Sequence, residues 1–262
     1  RSTQGVSSAA SDVYKRQESQ GLRCMLGTMP DTVQEIPLTN LLFALLPAGV
    51  VLVILYRWSA GGPTTLHALG RMCLQLALVG YVLTFLFGSE SSVVVLITLG
   101  VMVLTASWIA LRPVVAARSS LYWKALLAIS LAGSCTLIVI TQGVLAATPW
   151  HNATILIPLG GMIFAASMNA VSLSAERFHA EQLRGSPYHD ARRVAMQAAL
   201  IPQVNTLFAV GLVSLPGMMT GQILSGVPPL IAARYQIMVM CMLFGSAGMS
   251  TAFFLFFQKA NR

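Results

Sequence analysis

AALIPQVNTLFAVGLVSLPGMMTGQILSG, residues Ala198–Gly226, is apolar enough to enter a bilayer yet carries Pro202, Gly211, Pro216, Gly217 and Gly221. Each proline removes a backbone donor, and in lipid the freed carbonyls must be satisfied by protein neighbours or ordered water. A segment interrupted in this way belongs inside a helical assembly, where a broken helix lines a path or acts as a hinge. Packing alone gives a plainer account, because membrane helices tolerate proline and glycine. Directly before this stretch lies a charged loop, Glu176–Arg193. An irregular membrane helix beside such a loop suggests a transporter subunit driven from one side.

Composition sets the class. The chain has 262 residues, 56% hydrophobic and only 9% charged, against about a quarter charged in a soluble domain. The mean hydropathy is +0.74. One globular core cannot hide that much apolar surface, so the expected fold is an all-α polytopic membrane protein. The formal net charge is +8, but the basic residues fall in short loops at helix ends rather than on one patch. Nucleic acid is therefore excluded as a partner, and lipid is implied. Cys24, Cys73, Cys135 and Cys241 form no CxxC spacing and read as small buried apolar residues.

Residues 1–17 (RSTQGVSSAASDVYKRQ) do not match the rest in character. They read as a non-native, adapter-like leader, followed by a polar tail over 18–37. About 20 apolar residues cross the hydrocarbon core as a helix. That rule predicts seven spans within a permease domain over 38–257: Leu38–Tyr56, Leu66–Phe87, Ser92–Leu111, Trp123–Leu145, Ala153–Ser174, the broken Leu200–Leu224, and Tyr235–Phe257. Residues 258–262 form a C-terminal tail. Arginine and lysine follow spans one, three, five and seven, whereas the opposite loops hold only Glu90, the uncharged TPWHN run and Arg234. This asymmetry predicts an outside N-terminus and a cytoplasmic C-terminus in a multi-pass inner-membrane protein. Trp58, Trp108, Trp123 and Trp150 fall near span ends, as interfacial anchors do. All eight acidic residues fall outside these spans, which argues against ion coupling through a buried acid.

Several side chains invite a closer reading. Arg71 and Gln75 share a helical face, either as a polar contact at the mouth of a pathway or as an orientation anchor. Gly160, Gly161, Ala165, Ala166 and Ser167 permit close helix approach, and Asn169 is expected to be buried with a hydrogen-bond partner. In the loop 176–197, Arg177 and Glu181 are four apart, and Gly185-Ser186-Pro187 divides the segment into two short helical pieces. A transport ATPase grips a helix-turn-helix of this kind, although a solvated loop held by its own charges is the reading that the physics alone favours. Met218, Met219, Met238, Met240, Met242 and Met249 offer thioethers for a soft metal or simply adaptable packing. No HExxH, GxSxG or GxxxxGK[ST] occurs. Nothing points to catalysis or to a bound cofactor in this chain, and no metal-ligand set is identifiable.

GLVSLPGMMTGQILSG, followed by RYQIMVMCML and preceded by AALIP, resembles the bacterial iron-exporter permease family typified by FetB, which includes plant relatives linked to aluminium tolerance. LGRMCLQLALVGYVL and IPLGGMIFAASMNAV match the earlier spans of that family, so the resemblance covers about Leu38–Lys259. It implies the membrane subunit of an ABC transporter, working as a homodimer with two copies of a separate ATP-binding subunit and exporting iron or a related metal. The substrate path then falls on Ser214, Pro216, Met218, Met219 and Gln222, with Asn205 as a polar contact. Helical spacing puts Ser214, Met218 and Gln222 on one face provided Pro216 leaves the helix unbroken. The resemblance makes 176–193 the coupling element, with contacts at Leu183, Gly185 and Ser186. Where family members carry a longer loop with a Leu-Gly-Ala-Thr turn, this chain has Leu183-Arg184-Gly185-Ser186 and a shortened loop. Two other functions fit the same features: an ABC permease for a small organic solute such as a nucleotide sugar, and a membrane scaffold that transports nothing.

Overall fold

The computed structural model describes residues 37–59, 61–88 and 91–259; the expected leader, most of the polar tail, Cys24 and the last three residues lie outside them. The described chain is helical: α1 Leu38–Arg57, α2 Gly62–Phe87, α3 Ser92–Ala110, α4 Arg118–Ile138, α5 Ala153–Leu183, α6 Tyr188–Ala209, α7 Gly217–Leu224 and α8 Pro229–Lys259. A short 3-10 turn over Arg112–Ala117 leads into α4, and a π-helical turn over Val139–Val144 ends it. Among the described residues, six helical stretches are long and apolar enough to cross a membrane. With the interrupted α6–α7 stretch they account for the seven expected segments, and the chain is a multi-pass membrane protein.

The chain divides into two compact units, with boundaries inside α2 and α7. The first takes in the described residues up to Leu69 together with Gly221–Val227. Its α1 leaves Leu42 and Phe43 about two-thirds exposed. Gly62, at the start of α2, lies so close to the Tyr56 ring that a β-carbon there would sit 2.7 Å from it.

The second unit is a packed bundle. α5 packs against α3, α4, α6 and α8, and α8 against α4 and α6. Small residues allow the close approach: a β-carbon on Gly160 would fall 2.5 Å from Leu99, and one on Gly133 2.6 Å from the Phe164 ring. Ile129, Ile163, Met242 and Phe254 are fully buried there. Ser167 of α5 donates to the Ser246 carbonyl of α8 at 3.3 Å. Other hydroxyls bond back to the preceding turn of their own helix, as Thr98 does to Val94, Thr136 to Ala132 and Thr206 to Pro202. That arrangement satisfies a polar group in an apolar setting without a neighbour. Asn152 caps α5, accepting from the Thr154 amide at 3.0 Å.

Three expectations need correcting. Asn169 is exposed, because the buried face of α5 runs through Ser167 and Ala170 on either side of it. Cys73, Cys135 and Cys241 are free but exposed rather than buried. The fifth helix does not stop at Ser174: α5 runs on to Leu183 and takes in Glu176 and Glu181. The helix has 31 residues, roughly 45 Å at 1.5 Å per residue, and a bilayer core of about 30 Å leaves its last turns to project beyond.

Candidate functional site

Charge is segregated along the second unit. From Ser91 to Lys259, every Asp, Glu, Lys and Arg except Arg234 falls in Arg112–Lys124, Glu176–Arg193 or at Lys259. The start of α4, the end of α5, the start of α6 and the end of α8 meet at one end of the bundle. A small cavity of about 90 Å3 there is lined by Ala117, Leu121, Phe178, Gln182, Phe254 and Gln258, among others. Arg118 stacks over Trp108 at 3.7 Å and donates to its carbonyl at 2.6 Å. Trp58, Trp108, Trp123 and Trp150 are all at least half exposed, consistent with interfacial placement.

The turn between α5 and α6 is the best-built feature of this end. The segment read as a loop is mostly helix: residues up to Leu183 complete α5, and α6 starts at Tyr188. Gly185 adopts φ +81°, a conformation that glycine reaches without a β-carbon penalty. Its amide donates to the Gln182 carbonyl at 3.0 Å, and the Ser186 amide donates to the Glu181 carbonyl at 3.1 Å. These two bonds form a complete Schellman closure of α5. The Glu181 carboxylate gathers the surrounding groups, with Arg177 Nη2 at 2.8 Å, Arg184 Nη1 at 3.2 Å and the Ser186 hydroxyl donating at 2.9 Å. Tyr188 then ties α6 to α8 by donating to the Leu255 carbonyl at 2.8 Å, and it packs edge-on against Phe178. Leu183 stands 77% exposed at the apex.

Leu183, Gly185 and Ser186 are thus brought together on one ordered turn. Sequence reading paired Arg177 with Glu181 but missed Glu181 as the centre; Arg184, three residues on, and Ser186, five on, were the available signals.

The residues expected to form a path are less collected. Pro202 lies inside an unbroken α6, and the break comes later, at Val210–Pro216. Gly211 has φ +82°, and the turn closes on itself. The Val210 amide donates to the Thr206 carbonyl and Gly211 to Ser214, while Leu212, Val213 and Ser214 all donate to Ala209. Every amide from 210 to 214 is therefore satisfied within the segment, while Leu212 and Val213 are 90% and 85% exposed. A self-satisfied backbone with apolar side chains outward is what lipid or a second apolar surface tolerates.

Pro216 breaks the helix, so Ser214 lies in the turn and does not share the helical face of Met218 and Gln222. Pro216 accepts from the Thr220 amide at the start of α7, and Met218, Met219 and Gln222 lie within α7. Asn205 is exposed on α6, away from all of them in sequence. The Gln222 Oε1 is shielded from solvent and has no hydrogen-bond partner among the described residues.

Two larger cavities open on the second unit, and none of the six path residues lines either. One, about 1040 Å3, joins α6 to α8 near the charged end. The other, about 640 Å3, lies toward the opposite end, beside the π-helical turn, and includes Ser130, Ser134, Thr141, Gln142 and Trp150 in its wall. π-Helical turns are frequent at functional sites. Among the described residues no group of three or more His, Cys, Asp or Glu side chains could hold a metal ion. Met238, Met240 and Met242 pack in the apolar core.

The sequence matches the uncharacterised protein family UPF0014 over residues 38–188 and 184–261, two stretches that meet at the α5–α6 turn. It is 36% identical over 223 residues to the UPF0014 membrane protein slr1647 of Synechocystis sp., covering 76% of this chain and 83% of that protein. The "Probable iron export permease protein FetB" of Escherichia coli is 35% identical over 216 residues, 74% of this chain and 80% of its own. Protein ALUMINUM SENSITIVE 3 of Arabidopsis thaliana is 28% identical over 201 residues, 71% of this chain and 72% of its own. No solved structure matches the chain.

Proposed function

We propose that this chain, which belongs to the UPF0014 family of membrane proteins, is the permease subunit of an ABC transporter that exports iron or a related metal. It works as a dimer of two copies in the bacterial inner membrane and takes its energy from a separate ATP-hydrolysing subunit. The observation that carries this reading is the closed, braced turn at Leu183–Pro187. A force-transmitting contact must not yield when it is pushed. Here the backbone is closed by two Schellman bonds, a carboxylate binds three side chains, and Tyr188 fastens the turn to α8. Leu183 remains free at the apex for a partner to cover. The excess of arginine and lysine at this end supports a cytoplasmic side for it by the positive-inside rule, and with it a cytoplasmic C-terminus. The name of the Escherichia coli relative supports iron as cargo.

The path falls on Ser214, Pro216, Met218, Met219 and Gln222, with Asn205 on α6. Thioethers suit a soft or borderline metal, and Gln222 offers an acceptor that nothing in the described chain satisfies. A second reading, export of a small organic solute, draws on the 640 Å3 cavity with its hydroxyl and amide groups, which falls in the size range of small-molecule sites.

The test is ATP hydrolysis by the permease co-reconstituted with its genomically adjacent ATPase while ferrous or ferric iron is titrated. Iron-stimulated hydrolysis that is lost in Leu183→Asp and Gly185→Asp, with both variants inserted normally, is the expected result. Full stimulation in both variants removes the coupling turn from the mechanism. Hydrolysis indifferent to iron but raised by an organic solute selects the second reading. Failure to form any complex with the ATPase leaves a membrane scaffold.

A further inference from the structure

The 1040 Å3 cavity between α6 and α8 is two-faced. Arg192, Arg193 and Gln197 of α6 line one part of it, and Phe253, Phe256 and Phe257 of α8 another. Leu131 of α4 lines its inner part, roughly 20 Å along that helix from Arg118 at about 1.5 Å per residue. One leaflet of hydrocarbon is about 15 Å deep. The cavity thus runs from the charged end of the bundle to acyl-chain depth.

Its charges have no partner of their own. Among the described residues the ion pairs are those of Glu181 with Arg177 and Arg184, so neither Arg192 nor Arg193 meets a carboxylate. Arg192 lies over the Tyr188 ring at 5.7 Å, and both guanidinium groups are exposed. Asp190 and the His189 imidazole also line the cavity. Two arginines against one aspartate leave the rim net positive.

We infer that this cavity is a binding site for an anionic phospholipid, whose phosphate sits between Arg192 and Arg193 and whose acyl chain lies along Phe253, Phe256 and Leu131. A guanidinium pair matches phosphate oxygens in charge and geometry, and an aromatic wall suits a hydrocarbon chain but not a soluble anion. A zwitterionic lipid would bring its own cation to the same rim and lose the advantage. The site adjoins the α5–α6 turn through Tyr188 and His189, so its occupant braces the start of α6.

The experiment is photocrosslinking in phosphatidylcholine nanodiscs containing the full chain. Phosphatidylglycerol or phosphatidylcholine carrying an acyl-chain diazirine is added at equal mole fraction, and adducts on residues 253–257 are read by peptide mass spectrometry. Expected are several-fold more adducts from phosphatidylglycerol, competed by unlabelled phosphatidylglycerol and not by millimolar inorganic phosphate. Arg192→Gln with Arg193→Gln lowers the yield about fivefold per arginine, the scale of one basic residue near an anionic surface. Arg192→Lys with Arg193→Lys retains most of it, which separates charge from folding. Equal labelling by the two lipids, or no change in the glutamine variant, overturns the site. Competition by inorganic phosphate reassigns it to a soluble anion and also overturns it. No ATPase takes part, so the outcome is separate from that of the transport reading.

Discussion

Replacing Glu181 with alanine should loosen the α5–α6 turn by about 2–3 kcal/mol, and the effect should be local. The two ion pairs contribute little of this, because Arg177 and Arg184 are 37% and 65% exposed; exposed pairs are worth about 0–1 kcal/mol each. The larger share comes from the Ser186 hydroxyl, which donates at 2.9 Å to a carboxylate only 11% exposed, a bond worth about 1.5–3 kcal/mol. The two Schellman bonds are donated by the amides of Gly185 and of Ser186 itself. Its loss should therefore appear as faster amide exchange at Gly185 and Ser186, through opening of this turn alone. At about 1.4 kcal/mol per decade, exchange should accelerate roughly thirty- to hundredfold in Glu181→Ala, read by hydrogen–deuterium exchange on peptides spanning 180–190 in nanodiscs. Glu181→Gln loses the ion pairs and the charge of the acceptor but keeps a neutral bond to Ser186 worth about 0.5–1.5 kcal/mol, so it should accelerate exchange less than alanine does, by about three- to tenfold. Adding Ser186→Ala to Glu181→Ala should add almost nothing, since both remove the same bond. A change below threefold in Glu181→Ala, or equal effects of alanine and glutamine, would refute the assignment of the bracing to the buried hydrogen bond.

Two further substitutions probe the bundle. Gly133→Ala puts a β-carbon 2.6 Å from the buried Phe164 ring, and the overpacking should cost about 1–3 kcal/mol. The measurement is thermal unfolding in detergent, with Gly245→Ala, where nothing lies within 4 Å, as a control that should not be destabilised. Tyr188→Phe removes the bond to the Leu255 carbonyl but keeps the ring against Phe178, so a loss of about 1 kcal/mol is expected in the same measurement.

The helices were legible because the bilayer rule needs only length and apolarity. Both ends of span three and the start of span five are within a residue of α3 and α5. Helix ends were less legible where charge extends a helix past the hydrocarbon. α5 continues nine residues beyond the expected Ser174 because Arg177 and Glu181 stabilise its projecting turns. The break in the Ala198–Gly226 stretch was legible in composition but not in place. Pro202 is accommodated inside α6, with the Thr206 hydroxyl bonded to its carbonyl, whereas Gly211 and Pro216 stop the chain together: one takes a left-handed turn, and the other cannot continue a ladder. Glycine before proline did mark one true turn, at Gly185-Ser186-Pro187. The contact of Tyr188 with Leu255 and the joining of Arg192 to Phe256 around one cavity depend on how α6 meets α8. No local spacing encodes that.

The two irregular stretches differ in how they are held, and the difference bears on the proposed function. The turn at Leu183–Pro187 draws on α5 for its closure, on three charged or hydroxyl side chains for its bracing and on α8 through Tyr188. Displacing it means displacing the bundle. The turn at Val210–Pro216 takes its backbone hydrogen bonds from Thr206, Ala209 and its own Ser214, so it can shift as a piece without exposing an unsatisfied amide. In lipid that matters, since each orphaned backbone group costs several kcal/mol. A stiff contact at the charged end, joined by α6 to a self-contained turn at the other, is an arrangement in which a push on Leu183 moves α6 as a rod. The movement is then expressed where Gly211 permits it. On the permease reading this assigns the work of coupling to α6. Loosening the Glu181 brace should then weaken stimulated ATP hydrolysis while leaving the path residues untouched.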